Sequence, residues 1–285
     1  MRVILDTDIG ADSDDAVALG YLCSQVNKGR CELPLISLST ARTGAAACTR
    51  AILSAYGVRA EIARMEQRLP CDEADHYALA AREKYGFSDE AAPFLEAIRK
   101  AYVSSKEKIT LIVIGPQTNL KNFINSYPEL FLKRTNAVYI MGGNFQKEET
   151  EWNILCDVAA AKYVCEYETE VPCLYLPFEE GAKILTGKRF YNNRSHPVGF
   201  ILERVANAFG ITEEEKIVRE SWDPLTCLAV FKPELFEVKR GDITIDGQGV
   251  ARFSPDAQKN QFLLTVKNDA LCTLEIEKNL LNTEN

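Results

Sequence analysis

Five aspartates fall within ten residues of the stretch ILDTDIGADSDDAVAL: Asp6, Asp8, Asp12, Asp14 and Asp15. At neutral pH such charges repel one another unless water, protons or a cation offsets them. They follow an aliphatic run, RVILD, that reads as a short buried strand. They lead into DDAVALGYLCSQV, which reads as a helix with acidic residues in its first turn. Helix capping accounts for Asp12 or Asp14, because a carboxylate suits free N–H groups and the positive end of the helix dipole. It leaves Asp6 and Asp8, on the strand side, unexplained. A calcium loop between two helices needs Gly sixth and Glu twelfth; counted from Asp6, those places hold Ala11 and Val17. The reading that uses most of the charges is a divalent cation held between a strand end and the following helix start. Calcium takes about six to eight oxygens, main-chain carbonyls included. The carbonyl of Ile114 at another strand end, and Asp223 opening a helix in SWDPLT with Pro224 in its first turn, supply further parts.

Strands and helices able to position these residues alternate along the chain. ELPLISLS (32–39), RAEIARM (59–65), ITLIVIG (109–115), NAVYIMGG (136–143), VPCLYLP (171–177) and QFLLTVK (261–267) read as strands. AAACTRAILSAYG, closed by Gly57, then PQTNLKNFI, VAAAKYVCEY, residues 197–209 and 223–231, and ALCTLEIEKNLL read as helices. Residues 72–108 are charged and helical in tone without a clear strand, and GDITIDGQGVARF looks like a hairpin. This alternation predicts an α/β fold with an open, mostly parallel sheet flanked by helices. Ligands of such sheets bind beyond the carboxyl ends of the strands, where the aspartates, the GPQTN turn and the MGG turn all fall. With no repeat, low-complexity segment or Pro/Gly/Ser-rich linker, a single domain over 1–285 is expected.

The formal charge of -8 argues against a sequence-independent grip on nucleic acid, which needs a basic face. No apolar run approaches the roughly 18 residues that span a bilayer, so no membrane partner is expected. The start, MRVILDTD, has no charged-then-apolar-then-small signal pattern, and a cytoplasmic location is expected. Nine cysteines without a C-x-x-C pair, several inside apolar stretches, read as reduced core residues. With His76 and His196 the only histidines, a zinc site of His and Cys has no usable spacing.

A strand-end D-x-D also resembles the nucleophile and acid/base pair of haloacid dehalogenase-type phosphatases, with GDITID at 241–246 similar to their magnesium carboxylates. Gly10 stands where Thr or Val is then expected, and GDITIDGQG alternates as strand and turn do. A second resemblance covers nearly the whole chain. DTDIGADSDDAVAL, LIVIGPQTNL, YIMGGN followed by EWNILCDVAAA, WDPLTCLAVF and the closing strand and helix resemble the nucleoside hydrolase family, of the inosine/uridine-preferring type. That resemblance implies hydrolysis of the N-glycosidic bond of a small-molecule ribonucleoside, calcium as cofactor, and a homo-oligomer, dimer or tetramer. Asp8, Asp15, the Ile114 carbonyl and Asp223 would bind the metal, and Asp8 would take a proton from the water it holds. Asp14, Asn153 and Asp223 would hold ribose hydroxyls, Glu151 would serve the 5′ side and Met141 would line the ribose. Asp6 would orient these from behind, and Asp12, in an insertion, would be structural. A metal-dependent ribonucleoside-binding protein without hydrolysis is the alternative of a different class.

Several residues depart from the family pattern. Trp222 replaces the His that many purine-cleaving relatives carry before the late Asp; it either stacks on the base or packs on a neighbouring loop. STARTGAAACTR replaces an Asn-Val-Gly turn, and Arg42 and Thr43 are read as a plain surface turn. His76 is either the acid for the leaving base or, the preferred reading, part of a surface helix. His196, before Pro197, marks a helix start. The segment GGNFQKEETEWN is short, which makes the 5′-hydroxyl pocket unfamiliar, with any part for Asn144 in it. The base half of the site, and a modified or deazapurine base within it, is thus left open.

Overall fold

Aliphatic β-branched runs and amphipathic helices take the places expected of them in the computed structural model, which describes residues 1–190, 193–211 and 218–280. The chain begins with β1 (Arg2–Thr7), α1 (Asp14–Asn27), β2 (Glu32–Leu38), α2 (Ala45–Ala55) and β3 (Glu61–Arg64). The charged stretch after it forms α3 (Ala78–Tyr85), a two-residue edge strand β4 (Ala92–Pro93) and α4 (Phe94–Ser104). Next come β5 (Ile109–Val113), α5 (Thr118–Ser126), α6 (Pro128–Arg134), β6 (Thr135–Met141), α7 (Trp152–Cys156), α8 (Val158–Glu166) and β7 (Cys173–Leu176). The last third holds α9 (Phe178–Gly181), β8 (Leu185–Thr186), α10 (Pro197–Ala208), β9 (Arg219–Glu220), α11 (Trp222–Phe231) and β10 (Phe236–Arg240). The hairpin β11 (Asp242–Ile245) and β12 (Ala251–Ser254) is followed by β13 (Gln261–Val266) and α12 (Asp269–Glu277). The closing helix thus ends before the expected Leu281, which lies outside the described residues.

Nine strands form one sheet in the order β10-β13-β7-β6-β5-β1-β2-β3-β4. Every neighbouring pair in it is parallel except β10 with β13. Side chains of a strand alternate between faces. In β1, Val3 and Leu5 enter one apolar cluster with residues of α1, α2, α10 and α11, and Ile4 enters the other with α4, α5 and α8. Fully burying such aliphatic side chains contributes about 1.5–3 kcal/mol each. That apolar anchor fixes the strand whose carboxyl end carries the aspartates.

The turn after β1 needs its glycine. Gly10 has φ +139, which L side chains rarely adopt, and a Cβ there would stand 2.7 Å from Cδ of Arg42. His196 caps α10 as expected, its Nδ1 accepting the Val198 N–H at 3.3 Å with Pro197 opening the helix. All nine cysteines are buried and unbridged.

Candidate active site

β1 pairs with β2 on one side and β5 on the other, and the chain winds away from this junction in both directions. A crevice opens beyond the carboxyl ends of strands at such a switch of direction. Here it is a cavity of about 260 Å³. Asp8, Asp14, Asp15, Ile114, Met141, Glu151, Asn153 and Asp223 line it, with Asp12, His76 and Trp222. Of the residues expected at the site, Asp6 and Asn144 do not line it.

The acidic centre comes from two helix starts. Asp14 and Asp15 open α1, Asp223 lies in the first turn of α11, and the two helices pack together. One carboxylate oxygen from each lies within 4.8 Å of the others, so the three could hold a metal ion. Thr7 Oγ1 donates to Asp15 Oδ1, and the Asp223 N–H donates to Asp14 Oδ2 at 3.2 Å. Burial first, then the neighbouring carboxylates, pushes the carboxyls of Asp14, Asp15 and Asp223 well above the usual range. An all-oxygen set of buried carboxylates whose ionisation is this unfavourable fits a hard divalent cation, which would offset the repulsion. Asp8 shares the cavity without joining this close trio, and Asp14, expected on the sugar, does join it. Burial raises Asp8 to about 6, against the pull of the Arg42 guanidinium.

Arg42 corrects the reading of a plain surface turn. It is buried: its Nη1 donates to the main-chain oxygen of Asp8 and its Nη2 to that of Cys71 at 2.8 Å. Thr43 is exposed, as expected. Asp6 sits behind the site, where Ser37 Oγ and Asn119 Nδ2 (2.8 Å) donate to it, and burial raises its carboxyl to about 7. Gly115 follows β5 so closely that a Cβ would lie 2.9 Å from Asp8 Oδ1 and 2.5 Å from Ser39 Oγ.

Glu151 caps α7. Its carboxylate accepts the Asn153 N–H at 2.8 Å and the Ile154 and Gly143 N–H groups at 3.3 Å, tying the Gly142–Gly143 turn to the helix. Burial still raises it to about 7. Asn153 Nδ2 donates to the Ile114 carbonyl at 3.2 Å and lies 3.3 Å from Met141 Sδ. Asn144 instead closes its own turn, accepting the Gln146 and Lys147 N–H groups at 3.2 and 3.1 Å.

The outer half of the cavity is aromatic. Trp222 stacks on Phe178 with centroids 5.2 Å apart at 18°, and its indole N–H donates to the Phe178 carbonyl at 2.9 Å. His76 precedes α3 rather than lying on it, and its ring packs against Phe209 at 5.8 Å. Its main-chain N–H donates to Gly10 O at 3.1 Å, which holds it beside the aspartate turn. Tyr77 Oη accepts from Gly10 N at 2.9 Å and donates to Asp12 O at 2.7 Å. Asp12 forms a two-pronged pair with Arg219, whose guanidinium lies 5.4 Å over the Trp222 ring. Its structural reading fits that pair, although it also borders the cavity.

Phe178, Phe209, Trp152 and Arg219 were not marked by the sequence, since nothing local distinguishes a wall aromatic from a core one. Thr7 had a signal: strand alternation turns it away from Asp6 and towards the helix that carries Asp15. Asp242 and Asp246, the carboxylates that resembled a phosphatase, belong to the β11–β12 hairpin. Asp242 accepts the Gln258 and Lys259 N–H groups there, and Asp246 pairs with Arg252; neither lines the cavity.

A family model described as inosine-uridine preferring nucleoside hydrolase matches residues 3–271. The pyrimidine-specific ribonucleoside hydrolase RihA of Enterobacter sp. (strain 638) is 30% identical over 177 residues, 57% of this chain and 55% of that protein. The non-specific ribonucleoside hydrolase RihC of Klebsiella pneumoniae (strain 342) is 30% identical over 187 residues, 60% of each. The matched stretches thus span under two thirds of these relatives. An inosine-uridine preferring nucleoside hydrolase from Bacillus anthracis superposes with a TM-score of 0.76 over 98% of both chains at 20% identity, a likeness of fold.

Proposed function

Since the chain belongs to the inosine-uridine preferring nucleoside hydrolase family, we propose that it hydrolyses the N-glycosidic bond of a ribonucleoside, releasing ribose and free base. The observation that carries this reading is the meeting of Asp8 with the carboxylates of Asp14, Asp15 and Asp223 in one cavity whose outer half is aromatic. The cation is calcium in this reading, held by Asp15 and Asp223 with Asp8, the Ile114 carbonyl and the adjoining Asp14. When bound, such an ion fixes and acidifies water and binds sugar hydroxyls.

Asp8, raised only to about 6, is ionised at neutral pH and is the general base that accepts a proton from the attacking water. Asp14, Asn153 and Asp223 hold ribose hydroxyls, which favours ribose over deoxyribose. Breaking the glycosidic bond places positive charge on the sugar ring, and buried carboxylates stabilise charge of that sign where it develops. Met141 lines the sugar, and Glu151, fixed by three main-chain N–H groups, closes its 5′ side. Asp6 orients the aspartate loop from behind.

On the base side, Trp222 has its N–H committed to Phe178 and its ring stacked on Phe178 at the cavity wall. It supports a flat base, and modified purines belong in the first set of substrates tried. In this reading His76, which lines the cavity, protonates the departing base. Trp222 in place of a histidine also favours a second reading, a metal-dependent ribonucleoside binder without turnover. Calorimetry separates the two, since a binder saturates stably and releases no base.

Residues 1–285 form one domain in this account, supported by a single sheet that draws strands from Arg2 to Val266. A cytoplasmic homo-oligomer, dimer or tetramer, acting on small molecules without nucleic-acid or membrane partners, belongs to the same reading. Among the described residues no helix is long and apolar enough to cross a membrane. The test supplies common and modified ribonucleosides and measures free ribose with and without chelator. Turnover that chelator abolishes and calcium restores is expected; chelator-resistant turnover, or none on any ribonucleoside, contradicts the proposal.

A further inference from the structure

Two thiols meet beside the cavity and have no part in the reaction above. Cys71 and Cys156 form a small cluster with Met65 and Leu69, apart from the two main cores. At 9% and 8% exposure they are the most accessible of the nine cysteines; the other seven lie between 0% and 6%. The two come together from separate segments, and the neighbouring Cys71 thiol, ahead of burial, raises that of Cys156. For Cys23, Cys31, Cys48, Cys165, Cys173, Cys227 and Cys272 burial comes first. Cys165 and Cys173 also give their S–H groups to main-chain carbonyls. As the least buried of the nine, and gathered into one small cluster, this pair is the place where oxidation should concentrate.

Both thiols stand on segments that build the site. Cys71 lies in the 3₁₀ turn Pro70–Glu73, and its carbonyl accepts the Arg42 guanidinium that also holds the Asp8 carbonyl. Ala74 and His76, just beyond it, line the cavity. Cys156 ends α7, whose start carries Glu151, Trp152 and Asn153 at the cavity wall. We propose that Cys71 and Cys156 are a site of reversible oxidation to a disulfide, which ties the 3₁₀ turn to α7 and alters the cavity between them. Its effect on turnover rests on the proposed hydrolase reading.

With hydrogen peroxide as the two-electron oxidant, the Cys71 thiol gives up its proton as its sulfur attacks one peroxide oxygen and the O–O bond breaks. The departing hydroxide takes that proton and leaves as water, and a sulfenic acid remains on Cys71. The Cys156 sulfur then attacks that sulfur; the S–S bond forms, the S–O bond breaks, and the second hydroxide leaves as water with the Cys156 proton. Two thiols are oxidised and one peroxide is reduced to two waters. A disulfide holds its sulfurs about 2.05 Å apart, closer than two thiols in contact. Closing it draws the 3₁₀ turn and α7 together, and a misplacement of about 1 Å at a site can cost about 10²-fold.

The test treats the whole reduced protein with hydrogen peroxide, maps its peptides by mass spectrometry and measures ribose release before and after. A Cys71–Cys156 linked peptide is expected, with kcat/KM down at least about tenfold and recovered by dithiothreitol. Cys71→Ser and Cys156→Ser, each alone, should keep the reduced rate and resist peroxide. Oxidation concentrated on other cysteines, linkage without a change in rate, or serine variants as sensitive as the parent overturns the proposal. Should the reduced protein turn over no ribonucleoside, that result counts against the hydrolase reading. The thiol proposal is then decided by the linked peptide and a shifted calcium affinity, and fails if either is missing.

Discussion

Asp8→Asn keeps the size of the side chain and removes its ability to accept a proton. Turnover should fall by about 10²–10⁴-fold, while thermal unfolding shows a fold at least as stable, since a buried carboxyl raised to about 6 is no longer ionised. An unchanged rate would remove Asp8 from the role of base. His76→Ala separates acid from wall: ribose release from natural nucleosides should fall, yet nitrophenyl riboside, whose leaving group needs no proton, should be spared. Equal losses on both substrates would assign His76 to packing alone. At this scale the sequence disclosed the acidic half well, because Asp6, Asp8, Asp14 and Asp15 are neighbours in the chain and Asp223 opens a readable helix. Arg42 was illegible because its partners, the carbonyls of Asp8 and Cys71, come from distant segments and carry no side-chain signature. Asn144 looked available as a letter, but its amide oxygen is used by the turn it begins.

Three strand ends and three helix starts hold the site: β1, β5 and β6 from the sheet, and α1, α7 and α11. Gly115, two residues beyond β5, lies against Asp8, just beyond β1. Gly115→Ala would place a Cβ 2.9 Å from Asp8 Oδ1, so the Asp8 loop must move while the apolar strands beneath stay in place. Metal affinity and kcat/KM should each drop by about tenfold or more with little change in circular dichroism; unaltered kinetics would mean that Asp8 tolerates the shift. The buried strands and long helices were legible because two-fold alternation and aliphatic runs report burial directly. Shorter or more exposed elements were not. α7 spans only Trp152–Cys156, too few residues for helical periodicity, and is set by the Glu151 cap. β10 reads FEVKR, with all but Phe236 exposed; its charges suit a sheet edge and hide it as a strand.

Across the whole molecule the carboxylate centre couples stability to pH and to cations. Asp6 and Glu151 are raised to about 7, and the trio Asp14, Asp15 and Asp223 well above the usual carboxylate range, all chiefly by burial. Between about pH 6.5 and 8 the unfolded chain has already lost these protons while the folded chain still holds some, so stability falls as pH rises. His196, lowered by burial to about 4, acts below this window. In chelator the folded state should lose about 1–2 kcal/mol across that range; thermal unfolding at several pH values checks it, and a rise in stability would contradict the burial of ionisable carboxyls. Calcium should flatten the slope. The most direct test of the central claim, a cation gathered by buried acids, is calorimetric titration of calcium into chelator-treated protein in buffers of different ionisation enthalpy. Saturable binding is expected, with protons released to the buffer near neutral pH and an affinity weakened at least about tenfold by Asp15→Asn. Absence of binding, binding without proton release, or an affinity that Asp15→Asn leaves untouched would contradict it.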